Sequence, residues 1–470
     1  MFITSTLPYP NSETGPHVGF LFEILLTDFV NNFFKNKNIT TFFNTGIDEE
    51  GLKIFKKAES LNLTPQQYLD TVSPKYKDFL DKFFIGYDNF YRTSDALHQK
   101  NVQELWNRLL ERGDIYKKPY TGTYCVGCES FKKEKELVDG KCPEHPTSIL
   151  ETITEENYFF NLTKYKQQIS NHFCNSNSIL PYNKINEFNH FIDELEDISI
   201  SRLRAGCPWG TQVPNDDNHT IYIWFSALCN YIFAAGYLTP NFNWDYVIQT
   251  CGPDNLRFQA IIFQAILASE GIKFTDKILI HGTILDKNGK KMSKTEGNVV
   301  DPYEQLEKWG IDAVRYYALA GLNTFDNSAW DEDKLINSFN SEICNDWGNL
   351  VSRVLHLIDT KLNGEVIEPN QEFIELIDSY KVQINTLFEE FKIKDGLVVL
   401  NEMVKYGNKY INDEKPWSSE NANSVLSNLY FLIKVAKPFY DLVFPHRKDE
   451  IELALEAKKK VILFTKVEKK

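Results

Sequence analysis

The sequence predicts an α/β protein: an open parallel sheet with helices between its strands, interrupted by a cysteine-bearing insertion and followed by a helical bundle. Three patterns carry that expectation. Short apolar runs at residues 2–6, 40–46, 246–250 and 277–282 alternate with stretches of helical spacing, as in strand–helix–strand units. Between residues 117 and 211 the helical pattern gives way to strand-like text that carries cysteines and a histidine at metal-ligand spacing. From Asp301 onward the chain reads as helical.

A chain of 470 residues is too long for one core, so several domains are expected. The expected divisions are 1–116, 117–211, 212–275, 276–335 and 336–470. The formal charge of −14 argues against a protein that coats nucleic acid nonspecifically, while leaving room for a local basic groove. No apolar run is long enough to cross a bilayer. The first strand starts at Phe2, which leaves no room for a leader segment. Eight cysteines, four of them scattered, fit a reducing compartment, and a cytoplasmic location is expected.

The first strand runs into Leu7-Pro8-Tyr9-Pro10-Asn11 and then Pro16-His17-Val18-Gly19-Phe20. This is a turn, a histidine, and a long apolar helix whose N-terminus can hold phosphate. The second strand ends in Ile47-Asp48-Glu49-Glu50-Gly51, an acidic tip at the edge where open α/β sheets bind ligands. Three acids in a row are equally consistent with a solvated turn. A helical stretch over 52–112 follows. Cys125-Val126-Gly127-Cys128 and Cys142-Pro143-Glu144-His145 then make a C-x2-C and a C-x2-H pair. That is the spacing of a closed tetrahedral zinc site, and with no open position or adjacent base the zinc is expected to be structural.

A strand over 220–224 leads into Phe225-Ser226-Ala227-Leu228-Cys229-Asn230-Tyr231. Trp224 and Tyr231 read equally well as core aromatics. The strand at 246–250 delivers Cys251-Gly252-Pro253-Asp254-Asn255-Leu256-Arg257-Phe258-Gln259, and the strand at 277–282 feeds Lys290-Lys291-Met292-Ser293-Lys294-Thr295-Glu296-Gly297-Asn298. Three lysines with hydroxyls between them suit a loop that grips a polyphosphate, although such a run alone is more often a solvated basic loop. In the bundle, Asn349 and Arg353 lie four apart on one helix face, and Trp417 closes the phrase that begins at Asn412. An amide, a guanidinium and an indole are groups that read unpaired bases, and they are also ordinary surface residues.

The histidine-led turn and the lysine loop resemble the two signatures of class I aminoacyl-tRNA synthetases, usually spelled HIGH and KMSKS. The wording around both is similar to that of the methionyl family, and the similarity runs to about residue 445. The resemblance implies a Rossmann-type sheet split by a zinc-knuckle insertion, followed by an α-helical anticodon-binding domain. It implies ATP-dependent activation of methionine and its transfer to tRNA(Met), with magnesium beside the ATP, zinc in the knuckle and a monomeric enzyme. By resemblance His17, Lys291 and Lys294 are catalytic, and Gly19 joins them at the ATP. Leu7, Tyr9, Trp224 and Tyr231 enclose the methionine side chain, with Asp254 and Gln259 beside it, and Asp48 holds the α-ammonium. Asn349, Arg353 and Trp417 read the anticodon, and Cys125, Cys128, Cys142 and His145 hold the zinc. Phe20, Glu50, Ser226, Pro253 and Gln259 depart from the family wording, at positions where it has histidine, histidine, aspartate, lysine and histidine. Those departures leave two rivals: a paralogue that loads a small-molecule acceptor, and a catalytically inactive RNA-binding relative.

Overall fold

Apolar side chains on both faces of short strands are what a parallel sheet covered on both sides requires, and Phe2-Ile3, Val247-Ile248 and Ile278–Ile280 supply them. The computed structural model describes residues 1–10, 15–128, 130–132, 134–293 and 297–469. It divides into two units. The first comprises Met1–Gly15, Phe42–Phe79 and Tyr87–Ile280; the second comprises Pro16–Thr41, Leu80–Gly86 and His281–Lys470.

The strands of the first unit begin with β1 (Phe2–Thr4), β2 (Phe42–Ile47), β3 (Asn89–Arg92), β4 (Ile115–Cys125), β5 (Ser130–Lys132) and β6 (Leu150–Phe160). They continue with β7 (Ile179–Leu180), β8 (Ile198–Ser199), β9 (Ser201–Leu203), β10 (His219–Ile221), β11 (Val247–Cys251) and β12 (Lys277–Ile280). The central sheet has the order β3-β2-β1-β11-β12-β7, and every neighbouring pair is parallel. Strand order reverses between β1 and β11, which makes the carboxyl ends of β1, β2 and β11 the natural ligand edge. At the β2–β3 seam a Cβ on Gly46 would fall 1.9 Å from the Tyr91 carbonyl oxygen, so only glycine lets the strands meet there.

Three elements differ from the sequence expectation. Residues 52–112 are not one helical stretch: the helices Leu52–Ser60, Pro65–Lys82 and Ala96–Glu111 are joined by turns and by β3. Pairing of Asn89–Arg92 with residues 44–47 supplies that strand, a tertiary effect that local periodicity does not carry. Of the strand expected over 220–224, only Thr220 and Ile221 are strand. β10 pairs antiparallel with β9, and Ile223–Leu228 is already helix, so Trp224 sits on a helix. A short buried apolar run reads alike as strand or helix, which is why spacing failed there. Finally, the segment 117–211 is not separate from the sheet. It contributes β7 beside β12, and its Phe160, Phe173 and Phe188 share one buried cluster with Phe2, Trp106, Phe225 and Val247. What projects is the antiparallel ribbon β4–β6, paired from Ile115↔Phe160 to Cys125↔Leu150.

In the second unit the helix Val18–Asn36 is buried along nearly its whole length, with Leu21, Phe22, Ile24 and Leu25 fully enclosed. Phe29 meets Phe388 edge-on at 4.8 Å. The helices Asn349–Leu362, Gln371–Glu389, Ile393–Glu414 and Ala422–Val443 form a bundle around Leu350, Leu400, Met403 and Leu429. No helix among the described residues is long and apolar enough to cross a membrane.

Candidate active site

At the carboxyl ends of β1 and β2 the chain folds back on itself. The Asp48 N–H donates to the Pro8 carbonyl (3.1 Å), and the Tyr9 hydroxyl donates to the Glu50 carbonyl (2.7 Å). Leu7 and Tyr9 are half-buried. The three acids that look alike in sequence take three different roles. Asp48 is buried, and its Oδ1 accepts from the Thr93 hydroxyl at 3.2 Å. Glu49 is fully enclosed and receives Arg92 on both carboxylate oxygens, with Ser73 and Ser94 completing its shell. Glu50 is equally enclosed but faces no cation. Its Oε1 accepts from the Thr211 hydroxyl (2.6 Å), while Oε2 has no hydrogen-bond partner among the described residues. Burial pushes the Glu50 carboxyl up to about 7, only partly offset by Thr211 and by Ser226 and Gln99 nearby. Ser226 itself bonds His98 Nε2 at 3.0 Å, and burial lowers that imidazole to about 3, so it is neutral.

Trp224 stacks on Phe258 at 4.0 Å and 17°, half-buried on its short helix. Tyr231 is buried, meets Phe263 edge-on, and accepts a 2.7 Å hydrogen bond from Gln259 Nε2. The glutamine therefore does reach the tyrosine hydroxyl, as its amide chemistry permits. Asp254 is exposed in the short turn after β11. Arg257 of the same phrase faces Glu136 at 3.4 Å. Pro253 opens that turn.

In the second unit His17 is the N-cap of the helix Val18–Asn36. Its Nδ1 accepts from the Gly19 N–H (3.0 Å) and the Phe20 N–H (3.3 Å). The helix N-terminus is thus closed by the imidazole rather than left open for an anion. With Nδ1 accepting, the neutral ring carries its proton on Nε2, which becomes the donor His17 can offer a phosphate. Gly19 is what allows this cap, since a Cβ there would lie 2.9 Å from the imidazole. Phe20 is buried. Deeper in the helix Glu23 meets His281 at 3.3 Å, tying it to the segment that leads into the lysine loop.

That loop is cinched by two residues the sequence reasoning did not single out for a role. Asp286 Oδ1 accepts from the N–H groups of Asn288 and Lys290 (2.9 Å each), and Oδ2 accepts from Asn298 Nδ2 at 2.9 Å. These bonds, that of Asn298 foremost, hold the Asp286 carboxyl below its ordinary value. Asn298 also accepts from the Ser293 N–H and donates to the Lys291 carbonyl. The Asp-x-Asn-Gly text at 286–289 carried this signal as an Asx-type turn. Lys291 is exposed at the base of the loop; Lys294 lies outside the described residues.

At the tip of the β4–β6 ribbon the ligating atoms of Cys125, Cys128, Cys142 and His145 lie within 4.8 Å of one another. Cys128 Sγ is 3.4 Å from Cys142 Sγ and 3.2 Å from His145 Nδ1. Bonds of about 2.0–2.3 Å to a central ion span such separations, so this donor set fits a tetrahedral zinc. In the bundle, Asn349 and Arg353 share the helix Asn349–Leu362. Arg353 donates to Asn412 Oδ1 at 2.9 Å and lies 5.9 Å from the ring of Trp417, which is 41% exposed. Asn349 is exposed on the same helix.

Comparison with known proteins agrees with this arrangement. The family described as tRNA synthetases class I (M) matches residues 1–149 and 146–355. A methionine–tRNA ligase of Caldanaerobacter subterraneus subsp. tengcongensis is 35% identical over 429 residues, covering 88% of this chain and 66% of that protein. One from Nostoc sp. is 34% identical, covering 92% and 84%. The chain spans about two thirds of the length of the relatives that head the comparison. Mycobacterium tuberculosis methionyl-tRNA synthetase in complex with methionyl-adenylate superposes with a TM-score of 0.88 at 30% identity, covering 96% of this chain and 92% of that one. The parallel sheet with its switch point, the zinc-type knuckle on its ribbon, the capped histidine helix and the helical bundle are accounted for together by one assignment: the chain belongs to the methionyl branch of the class I aminoacyl-tRNA synthetases.

Proposed function

We propose that the protein is a methionine–tRNA ligase. It activates methionine with ATP to methionyl-adenylate and pyrophosphate, then passes the methionyl group to the terminal ribose of tRNA(Met). The observation that carries this reading is a buried aspartate, Asp48, tied by its N–H to Pro8 between half-buried Leu7 and Tyr9, in the same unit as the buried Tyr231–Gln259 pair and the Trp224 ring stacked on Phe258. Asp48 offers the charge that an α-ammonium needs. Aromatic walls and a hydroxyl suit a thioether, which is soft, polarisable and a weak acceptor.

The carboxylate of methionine attacks the α-phosphorus of ATP, and the bond to pyrophosphate breaks. Positioning and charge stabilisation dominate such a step, since the protein contributes no covalent intermediate. His17 donates from Nε2 to the phosphates, Gly19 permits the pose, and Lys291 and Lys294 neutralise charge on the departing pyrophosphate. Magnesium accompanies the ATP. Asp254, on its exposed turn, faces the amino-acid side of the site. Cys125, Cys128, Cys142 and His145 hold a zinc whose contribution is to fold the knuckle. Asn349, Arg353 and Trp417 read the anticodon. The functional division follows the five segments expected from sequence, with 117–211 also lending β7 to the central sheet, and the enzyme acts as a cytoplasmic monomer.

Amino-acid-dependent exchange of pyrophosphate into ATP, run across the amino acids and followed by charging of tRNA(Met), tests the reading. Exchange with methionine alone and methionylation of the tRNA are expected. Exchange with a different amino acid, or none, overturns it.

A further inference from the structure

Three helices of the second unit, Val18–Asn36, Gln371–Glu389 and Ala422–Val443, leave a hollow of about 380 Å³ between them. One buried ring from each helix holds the walls. Phe388 meets Phe33 at 5.6 Å and Phe439 at 6.0 Å, both edge-on. Asn36 Nδ2 reaches the Pro438 carbonyl at 3.4 Å and ties the first helix to the third. The apolar lining is Phe33, Phe439 and Leu442, all buried, with half-buried Phe431 and Val435 and exposed Pro438. The charged lining is Lys37, Lys381 and Lys434, with no acid among the described residues beside them. Lys37 contacts Glu389 and lies over the Phe33 ring at 4.9 Å. Lys381 and Lys434 are exposed and form no ion pair with a described residue.

We propose that this hollow binds a medium-chain carboxylate, its hydrocarbon on Phe431, Val435 and Leu442 and its charge between the ammonium groups of Lys381 and Lys434. The chain carries a net charge of −14, so its surface as a whole repels anions. Screening confines that repulsion to about 8 Å at physiological salt, and within that range of the hollow two uncompensated lysines decide the sign. An apolar bed with a few charged groups at its edge is the composition of a small-ligand site, and the volume falls within the usual range of about 300–1,000 Å³. A peptide helix fits less well. It is about 10–12 Å across and rises about 5.4 Å per turn, so a single turn fills the space before a second row of anchors can enter.

Isothermal titration of the full chain with decanoate, below its micelle concentration, tests this. One saturable site per chain is expected, and saturating methionine and ATP should leave it in place. Decyltrimethylammonium, with the same hydrocarbon and the opposite charge, should bind about tenfold more weakly or not at all. Decanoate should lose about tenfold in affinity for the double variant Lys381→Glu/Lys434→Glu, whose exposed positions leave the fold untouched. Val435→Trp, which fills the hollow, should abolish binding; if it does not fold, the charge variant decides alone. Absence of a saturable site, equal binding of the cation, displacement by methionine and ATP, or unchanged affinity in the charge variant each overturns the proposal. So does a dimer in sedimentation that Val435→Trp dissolves, since a second copy of the chain would then be the occupant.

Discussion

Thr211 donates its hydroxyl to Glu50 Oε1 at 2.6 Å, on a carboxyl group that is wholly enclosed and, among the described residues, faces no cation. The pairing has a consequence for pH. Burial raises the folded-state value from 4.5 to about 7, so the folded chain keeps this proton where the unfolded chain has lost it. The stabilising contribution is complete below about pH 4.5 and is lost as the pH rises through about 7. The shift corresponds to about 3 kcal/mol at most. Urea denaturation at pH 5 and pH 8 should show the wild type losing stability over this interval relative to Glu50→Gln, which has nothing to ionise. Parallel behaviour of the two proteins would remove the buried neutral acid from the account.

Asp28 and Arg315, both without solvent exposure, form a 2.9 Å ion pair inside the second unit. Arg315 also donates to the carbonyls of Val443, Phe83 and Phe84, and Asp28 accepts from the Gly86 N–H and from Asn32. Removing one partner strands the other charge in a low-dielectric interior. Asp28→Ala and Arg315→Met should each cost about 3–5 kcal/mol. The double variant should cost clearly less than their sum, because no lone charge remains. Additive losses in a double-mutant cycle would show that the two groups are not coupled.

The zinc knuckle makes a local prediction. Cys125 and Cys142 are buried at the end of a ribbon that is otherwise held by the β4–β6 and β4–β5 pairings. Metal analysis should return about one zinc per chain, as a single closed four-ligand site demands. Cys128→Ser should lose the metal, and limited proteolysis should then cut first between residues 126 and 149. Retention of zinc by that variant would mean that these four side chains are not its ligands.

The legible parts of this protein are those in which one residue type has few physical uses. Cysteines that pair with a second thiol–imidazole set and strands apolar on both faces were of that kind. Asp48, Glu49 and Glu50 were not: the sequence presents three equal acids, and only packing assigns one to Thr93, one to Arg92 and one to a cation-free interior. β3 stayed hidden because Asn89–Arg92 gains its strand character from β2 rather than from its own pattern. Trp224 was placed on a strand because its apolar run is too short to show a helical period. Lys381 and Lys434 carry no motif at all, and their place around one hollow emerges only from the fold.

Arg353 offers the sharpest separation between a tRNA ligase and a paralogue with a small acceptor. Its guanidinium is held by Asn412 on one side and lies beside the exposed Trp417 ring on the other, so a planar cation and an indole are presented together. Neither group supports the bundle's core in a way that would explain the pairing, since Trp417 is 41% exposed. Base stacking on such a platform is worth about 1–3 kcal/mol per base. Arg353→Ala and Trp417→Ala should therefore raise KM for tRNA(Met) by about ten- to a hundredfold. Exchange of pyrophosphate with methionine, which involves no tRNA, is the control that separates this loss from damage to the adenylation site. A tRNA(Met) with an altered anticodon should charge poorly with the wild type and gain nothing further from either substitution. Charging that is indifferent to both residues and to the anticodon would leave the aromatic–guanidinium pair as surface and favour the small-acceptor paralogue.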